Sequence, residues 1–389
     1  MDNRIIKNIL VKGKNLISRY FHISSYNFYK RDDIIEIFAI IFTIKAATLF
    51  LSYISFEIFQ NITPTILQLW NRWDTHNYIN IAQNGYTNVG ESSLFIVFFP
   101  LYPLLIRLFA VFIGDYLFSA MVVSNLASVL AVLLFYKLVS KDYTSNNAIR
   151  AVFYFLVFPT AYFLSAAYTE SLFVFLSIAS FYYAREGRWF LAGVFGGLAS
   201  TTRITGVVLF PALIIEYWVQ KRGQMRFKEI GWLLLIPLCF SVYLIINYVT
   251  FGDAFAFLTI QKQHWFKELS PPWIGFLNSL GGIGWRSPSE RMLVDYAEII
   301  FSLLGLTTVI VGFLYLRISY NVYALLTWLL ITSNSYWLSI PRYTLTIFPL
   351  FILLSLAGQR KEINYLITVI SLIFFSLFLI LFAQGRWAF

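Results

Sequence analysis

Residues 363–384 read INYLITVISLIFFSLFLILFAQ and carry no charged side chain. A helix of this length can cross about 30 Å of hydrocarbon. Similar apolar runs recur at about 34–59, 118–139, 149–168, 171–185, 189–204, 205–220, 229–250, 296–316, 320–338 and 343–358. Backbone groups in lipid must be paired within their own segment, and the alternation typical of membrane strands is absent. We therefore predict an all-α polytopic membrane protein with about 11 transmembrane helices.

The composition excludes an ordinary soluble protein. Of the 389 residues, 59% are hydrophobic and 12% are charged, whereas a soluble domain has about 25% charged residues. The net charge of +10 could indicate nucleic-acid binding, but most Lys and Arg residues stand in short loops beside apolar runs. This is the positive-inside pattern, so we expect contact with membrane lipid and not with nucleic acid.

The positions of the charges also predict the topology. Residues 1–32 are polar and basic, as in a cytoplasmic amphipathic segment that precedes a transmembrane domain over residues 33–389. If segment 94–113 crossed the membrane, every later basic loop would lie on the wrong face. The two prolines in its first part suit a re-entrant or interfacial helix better. The external loops are then residues 60–117 and 251–295, and 19 of the 29 Lys and Arg residues are cytoplasmic.

The most informative polar motif is WNRWDTHNY, residues 70–78, which follows the first apolar run. A carboxylate that neighbouring donors hold ionised can accept the proton of a sugar hydroxyl, so Asp74 is a candidate catalytic base. Indole and phenol rings are natural stacking surfaces for a pyranose. The candidate substrate-binding residues of this motif are Arg72, Trp73, His76 and Asn77. The alternative is an aromatic belt at the membrane surface with a snorkelling arginine.

A second acid, Glu170, follows Tyr168 at the junction of two apolar runs. Acids at membrane depth usually face a cavity or a charged partner, so Glu170 is a candidate catalytic residue and Tyr168 a candidate substrate-binding one. Alternatively, Glu170 is a first-turn acid on the following helix, with Thr169 as its N-cap.

Basic and polar residues supply further candidate substrate-binding positions. Arg203, and Arg342 beside Tyr343, stand at predicted outer-face helix ends, where a guanidinium suits a phosphate; alternatively, both arginines are snorkelling flanking charges. Gln261 and Trp265 are four residues apart, so they would share a helix face that binds sugar or lies on the membrane. We expect Lys45 to snorkel or to pair inside the bundle.

No His, Cys or acid cluster has metal-ligand spacing, and no Walker or Rossmann glycine pattern is present. We therefore expect neither a metal nor a cofactor.

These motifs resemble the PIG-V type mannosyltransferases, a family of GPI-anchor enzymes and bacterial relatives. The resemblance runs from about residue 34 onwards, and Arg72-Trp73-Asp74 is its most specific part. It implies a GT-C type glycosyltransferase fold whose active site faces away from the cytoplasm. Where eukaryotic members tend to have His three residues after the Asp, this chain has Asn77, with His76 one place earlier.

The resemblance also implies a function. A polyprenyl-phosphate sugar would donate a mannosyl or other hexosyl residue, with inversion, to a glycan or glycolipid acceptor. Asp74 would be the base, Glu170 would orient the acceptor or the base, and Arg203 and Arg342 would hold the donor phosphate. We expect a multi-pass protein of the bacterial plasma membrane with a cytoplasmic N-terminus; no protein partner is indicated.

Three alternatives stay open at this point. A GT-C enzyme for another sugar would share the architecture and differ in pocket detail. A transporter or flippase for lipid-linked sugars would show inverted repeats and midplane charges. A membrane scaffold would leave the acids at two outer-face sites unexplained.

Overall fold

The computed structural model describes residues 31–222 and 226–389, and within them the regular structure is helical. The predicted amphipathic segment 1–32 falls outside the described residues, except for its last two. In the first half of the chain the α-helices are α1 (Arg31–Gln60), α2 (Ile66–Trp70), α3 (Thr75–Asn84), α4 (Leu101–Ile113), α5 (Tyr116–Val139), α6 (Ser145–Leu156), α7 (Glu170–Arg185) and α8 (Trp189–Ser200).

The second half continues the helical bundle. Its α-helices are α9 (Leu209–Gln220), α10 (Phe227–Ile230), α11 (Leu235–Phe251), α12 (Ala256–Trp265), α13 (Pro272–Gly282), α14 (Pro288–Glu290), α15 (Ala297–Tyr315), α16 (Ile318–Thr332), α17 (Ile340–Thr344), α18 (Pro349–Ala357) and α19 (Lys361–Ala383). Short 3₁₀ segments at Glu91–Val97, Ala161–Leu164, Ile204–Val208 and Gly231–Leu234, and a π-helical turn at Arg291–Tyr296, interrupt or extend them.

Five helical segments in the described part are long and apolar enough to cross a membrane, or six if one bent pair is counted as a span. They are Arg31–Gln60, Tyr116–Val139, Phe227–Phe251, Pro288–Tyr315 and Lys361–Ala383. Their outward faces are apolar, as at Phe42 and Val249, which are 76% and 78% exposed. An exposed apolar belt of this kind requires lipid around it. The chain is thus an integral membrane protein.

The other predicted runs form shorter helices, several extended by 3₁₀ turns. Contacts between the loops of the described chain nevertheless group these loops at two opposite ends of the bundle. At one end, Asp33, Asp142, Arg185, Glu216 and Arg317 contact one another or their neighbours. The alternate loops of the chain, beginning with the one after residue 60, meet around one cavity at the opposite end. The predicted all-helical membrane architecture is confirmed, and the count of about eleven crossings stays a prediction, since five or six of the described segments reach spanning length.

Segment 94–113 does not form a straight crossing. The 3₁₀ helix Glu91–Val97 and α4 meet at an angle of 112°. Pro100 lies at the break, where its missing N–H and fixed φ interrupt the helix. Arg107 of α4 donates to the carbonyls of Ala82 and Gln83 at 2.7 Å each. These bonds hold α4 against α3, in agreement with a segment that turns back.

Polar groups that are buried or half-buried connect the helices away from the cavity. Arg185 pairs with Asp142 at 2.5 Å, and Arg317 pairs with Glu216 at 2.8 Å. Within the bundle, Lys45 donates to Asn125 Oδ1 at 2.8 Å and to Leu164 O at 3.1 Å. Lys45 therefore pairs inside the bundle, one of the two expected outcomes.

The predicted topology can be tested by labelling single cysteines in a Cys239→Ala background. We expect Glu91→Cys, in the first external loop, to react with a membrane-impermeant maleimide in intact cells. Arg188→Cys should react only after permeabilisation, because it lies in the loop group at the opposite end. Both positions are exposed, so side-chain burial does not limit the reaction. Labelling of the reverse pair would invert the assignment.

Candidate functional site

The loops at the cavity end enclose a space of about 720 Å³. Its polar lining includes Asp74, Asn77, Thr202, Arg203, Gln261, Lys262, Lys267, Glu268, Asn334, Ser339, Arg342 and Tyr343, and its aromatic lining includes Trp73, Tyr78, Phe98, Trp265, Trp387 and Phe389. A cavity of this size fits a sugar-sized ligand. The mixture of rings and charges suits a sugar phosphate.

Asp74 occupies the N-cap position of α3, yet its side chain does not cap that helix. Its Oδ2 instead accepts a bond from Nη1 of Arg342 at 3.0 Å. An N-cap Asp normally accepts from the first helical N–H groups. The Arg342 guanidinium replaces those donors and turns the carboxylate towards the cavity. The side chain of Asp74 is 25% exposed, so a ligand hydroxyl can reach it.

Glu170 lies behind this pair and is shared by two arginines. Its Oε1 contacts Nη1 of Arg203 at 2.5 Å and Nε of Arg342 at 3.2 Å. Arg203 also donates to Thr169 Oγ1 at 3.0 Å. Glu170 begins α7 as a first-turn acid, but the Thr169 side chain does not cap the helix. With 1% of its side chain exposed, Glu170 lies behind the two arginines and does not line the cavity.

Two residues next to this chain of charges have backbones in the left-handed region. Trp73, directly before Asp74, has φ +48°, and Ser339, before α17, has φ +74°. Such conformations are costly for residues other than glycine and cluster at functional sites. The buried Glu298 on α15 accepts the N–H groups of Ser339 and Ile340, at 2.7 Å each. It thereby fixes the start of the short helix that presents Arg342.

Tyr343 stands among three cations. Its ring lies 4.9 Å from the Arg203 guanidinium, 5.3 Å from that of Arg342 and 5.1 Å from Lys267 Nζ. Cations over an aromatic face are attracted by its quadrupole. Among the residues that the structure describes, Lys267 has no carboxylate within 4 Å; it donates weakly to Leu338 O and Tyr343 OH. Arg203 and Arg342 are each paired with an acid. Lys267 therefore adds one positive charge that no contacting carboxylate of the described residues balances.

Lys267 is carried by a strap, which we define as residues 266–270. The strap is tied to residues 333–335 by main-chain bonds: Ser270 N donates to Ser333 O at 3.2 Å, and Ser335 N donates to Glu268 O at 2.8 Å. Leu269 and Asn334 form an isolated bridge between them. The strap and residues 333–335 together form one side of the cavity.

Eight of the twelve predicted site residues line this cavity. They are Trp73, Asp74, Asn77, Arg203, Gln261, Trp265, Arg342 and Tyr343. Gln261 and Trp265 share the inward face of α12, whereas Gln263 and His264 are exposed. Tyr168 and Glu170 lie directly behind the lining, where the Tyr168 ring is 5.4 Å from the Arg342 guanidinium.

Two predicted residues lie elsewhere. His76 is exposed on α3 and is not part of the lining. Arg72 extends away from the cavity and donates to Ala383 O at 2.7 Å, with its guanidinium 5.5 Å from the Phe56 ring. The structure gives Arg72 a role in packing the protein and does not bring it to the cavity.

Sequence reasoning missed Lys267, Trp387 and Phe389, which also line the cavity. Lys267 is followed by Glu268 in a polar loop and looks like a solvated charge. Trp387 and Phe389 follow the last apolar run and look like interfacial aromatics. The predicted topology places residues 384–389 at the same face as Asp74. This position was the one feature of the sequence that could have indicated that Trp387 and Phe389 belong to the site.

Comparison with known proteins identifies related sequences. Residues 99–260 match the family described as dolichyl-phosphate-mannose-protein mannosyltransferase. The chain is 29% identical over 149 residues to GPI alpha-1,6-mannosyltransferase 2 of Rattus norvegicus and 28% identical to that of Mus musculus. These matches include 36% of this chain and only 30% and 29% of those proteins. The resemblance to PIG-V type enzymes is confirmed at this level.

The structural comparison shows the fold. ArnT from Cupriavidus metallidurans, solved bound to undecaprenyl phosphate, aligns with a TM-score of 0.54 and 12% identity. The alignment covers 85% of this chain and 62% of the ArnT chain. The predicted GT-C type glycosyltransferase fold is therefore confirmed.

Replacing Glu170 with Ala should destabilise the protein by roughly 3–5 kcal/mol, because Arg203 and Arg342 would then lose their shared buried carboxylate. Unfolding of the purified protein in detergent measures the effect. Glu268→Ala is the control: Glu268 pairs with Lys262, both side chains are more than half exposed, and such pairs contribute about 0–1 kcal/mol. Equal loss in both variants would contradict the shared-acid arrangement.

Proposed function

We propose that this protein transfers a hexosyl residue, mannosyl by preference, from a polyprenyl-phosphate sugar to a glycan or glycolipid acceptor. The observation that carries this proposal is the accessible acid Asp74, which is paired with Arg342 in a cavity that also contains Arg203 and Lys267. The matching mannosyltransferase family and the undecaprenyl phosphate in the ArnT structure support the sugar class and the lipid carrier. A transferase for another sugar would use the same arrangement, so the sugar is the part that needs measurement.

The reaction that we propose is a single displacement with inversion. An acceptor hydroxyl attacks C1 of the donor sugar, the new C1–O bond forms, and the bond from C1 to the phosphate oxygen breaks. Asp74 takes the hydroxyl proton, and the polyprenyl phosphate leaves with the bonding electron pair. Asp74 suits this role better than Glu170, because its side chain is 25% exposed and that of Glu170 is 1% exposed.

The leaving phosphate needs positive charge, which the cavity supplies. Arg203 and Arg342 are engaged by Glu170 and Asp74, so their charges are largely balanced before any ligand binds. Lys267 has no acid partner among the described residues and is the cation most available to a phosphate. Positive groups in a water-poor site stabilise the developing phosphate charge. A divalent metal is not required in this proposal.

The side of the membrane is part of the same proposal. The cavity is built from the loops that the positive-inside pattern assigns to the extracytoplasmic face. A donor with a polyprenyl tail would approach from the lipid, since apolar residues such as Leu258 and Leu330 line part of the cavity. Location in a bacterial plasma membrane stays a prediction.

Replacing Asp74 with Asn should lower transfer by about 10²–10⁴-fold, because the amide cannot accept the proton. The unfolding midpoint should change little, since the amide oxygen still accepts from Arg342. A transfer assay of purified protein with a panel of polyprenyl-phosphate hexoses measures this loss. Glu91→Gln, an exposed acid in the same external loop, is the control. Wild-type transfer by the Asp74→Asn variant would remove Asp74 as the base.

Replacing Lys267 with Met should raise the KM for the donor by about ten- to hundredfold, as expected when a charged group loses its hydrogen bond to a phosphate. Lys267→Arg retains the charge and should restore most of the donor affinity. Lys361→Met, an exposed lysine at the opposite end of the bundle, is the matched control. An unchanged donor KM in Lys267→Met would place the phosphate elsewhere.

A further inference from the structure

Residues 384–389, which follow α19, form the side of the cavity next to the Asp74 loop. Trp387 and Phe389 line the cavity together with Trp73 and Asp74. Phe389 is 4% exposed and Ala388 is 2% exposed. The segment is thus packed into the protein and contributes its aromatic rings to the site.

A glycine turn directs this segment into place. Gly385 has φ +73°, in the left-handed region. The N–H of Arg386 bonds to Leu381 O and that of Gly385 to Phe382 O, at 2.9 Å each. This pair of bonds is the Schellman motif, which ends a helix and turns the chain away from its axis. The residues after Gly385 therefore leave the axis of α19 and enter the cavity wall.

Three contacts hold the end of α19 and the segment that follows it. Arg72 Nη2 donates to Ala383 O at 2.7 Å. The dipole of α19 also stabilises a positive charge at this C-terminal end of the helix. Tyr162 OH donates to Ala388 O. The Phe389 ring packs edge-on against Phe378, with centroids 4.8 Å apart. These contacts explain why Arg72 lies in the Asp74 motif without lining the cavity.

Trp387 meets Trp73 at a near right angle. The ring centroids are 5.5 Å apart and the planes differ by 79°. Trp73 is 45% exposed although it lies in a cavity lining, and its strained backbone holds it beside Asp74. The two rings form an aromatic corner next to the acid, whereas the cations gather around Tyr343 through a separate set of contacts.

We propose that Trp387 and Trp73 form the acceptor subsite, which binds a hexopyranoside. The apolar face of the acceptor ring rests on the aromatic corner and one of its hydroxyls reaches Asp74. Arg72 is a positioning residue, because it bonds to the end of α19, from which residues 384–389 continue. This assignment rests on the proposed function. It extends that function by placing the acceptor at the aromatic corner and the donor phosphate at the cations around Tyr343.

Ligand-observed NMR on full-length protein with Asp74→Asn tests the subsite without turnover. The probes are methyl α-mannopyranoside for the acceptor and undecaprenyl phosphate for the donor carrier. We expect Trp387→Leu to lose hexoside binding, since leucine keeps apolar bulk but has no ring face, while Trp387→Phe keeps it. Undecaprenyl phosphate should bind equally well in all three proteins. Trp273→Leu, an exposed external tryptophan outside the lining, is the matched control.

Kinetics supply a second readout in the protein with Asp74 intact. Trp387→Leu and Arg72→Ala should each raise the acceptor KM by about five- to tenfold, with kcat within about twofold. A merely structural role would lower the unfolding midpoint and donor binding together.

Two results would overturn the proposal: unchanged hexoside binding in Trp387→Leu, or parallel loss of hexoside and undecaprenyl phosphate in a folded variant. Failure of the proposed function looks different. Wild-type protein would then transfer no hexose from any polyprenyl phosphate, while Trp387-dependent hexoside binding persisted.

Discussion

The interleaved series Asp74, Arg342, Glu170 and Arg203 is the interaction on which the rest of the site depends. Each arginine contacts at least one acid, and Arg342 contacts both. A charge without a partner in such surroundings is expensive, so loss of the acid that both arginines share, Glu170, would leave their charges poorly balanced. Because the four side chains come from four separate segments, their pairing also fixes the relative positions of those segments. The geometry of the site therefore depends on these ion pairs as well as on the packing of the helices.

The far end of the bundle uses the same device for a different purpose. Arg185 and Arg317 are interleaved with Asp142 and Glu216, and Glu216 is 1% exposed. These residues connect α5, which is long enough to span the membrane, with the shorter helices α7, α9 and α16. Tying the helices at this end leaves the other end free to separate around a cavity, which explains how short helices can coexist with an interior space.

Sequence patterns predicted the fold and most of the site because both follow from local constraints. Apolar runs and the distribution of basic residues predicted the helices and the grouping of loops 60–117 and 251–295 at one end of the bundle, and acids without a topological reason drew attention to Asp74 and Glu170. The patterns failed where a role depends on a distant partner. Arg72 bonds to a carbonyl 311 residues away in sequence, Lys267 depends on the pairing of its strap with residues 333–335, and Trp387 depends on the turn at Gly385. No local pattern encodes such contacts.

Movement of the strap, residues 266–270, would let ligands enter and leave the cavity. Its connections to residues 333–335 are hydrogen bonds, and Leu269 at its centre is 86% exposed, so no buried apolar side chain anchors that point. Lifting it would break a few bonds and leave the helices in place, and loop motions of this kind occur within about nanoseconds to microseconds. In the proposed reaction, the polyprenyl phosphate would then leave through a loop that also carries Lys267, so that loss of the contact with the phosphate and opening of the cavity would occur together.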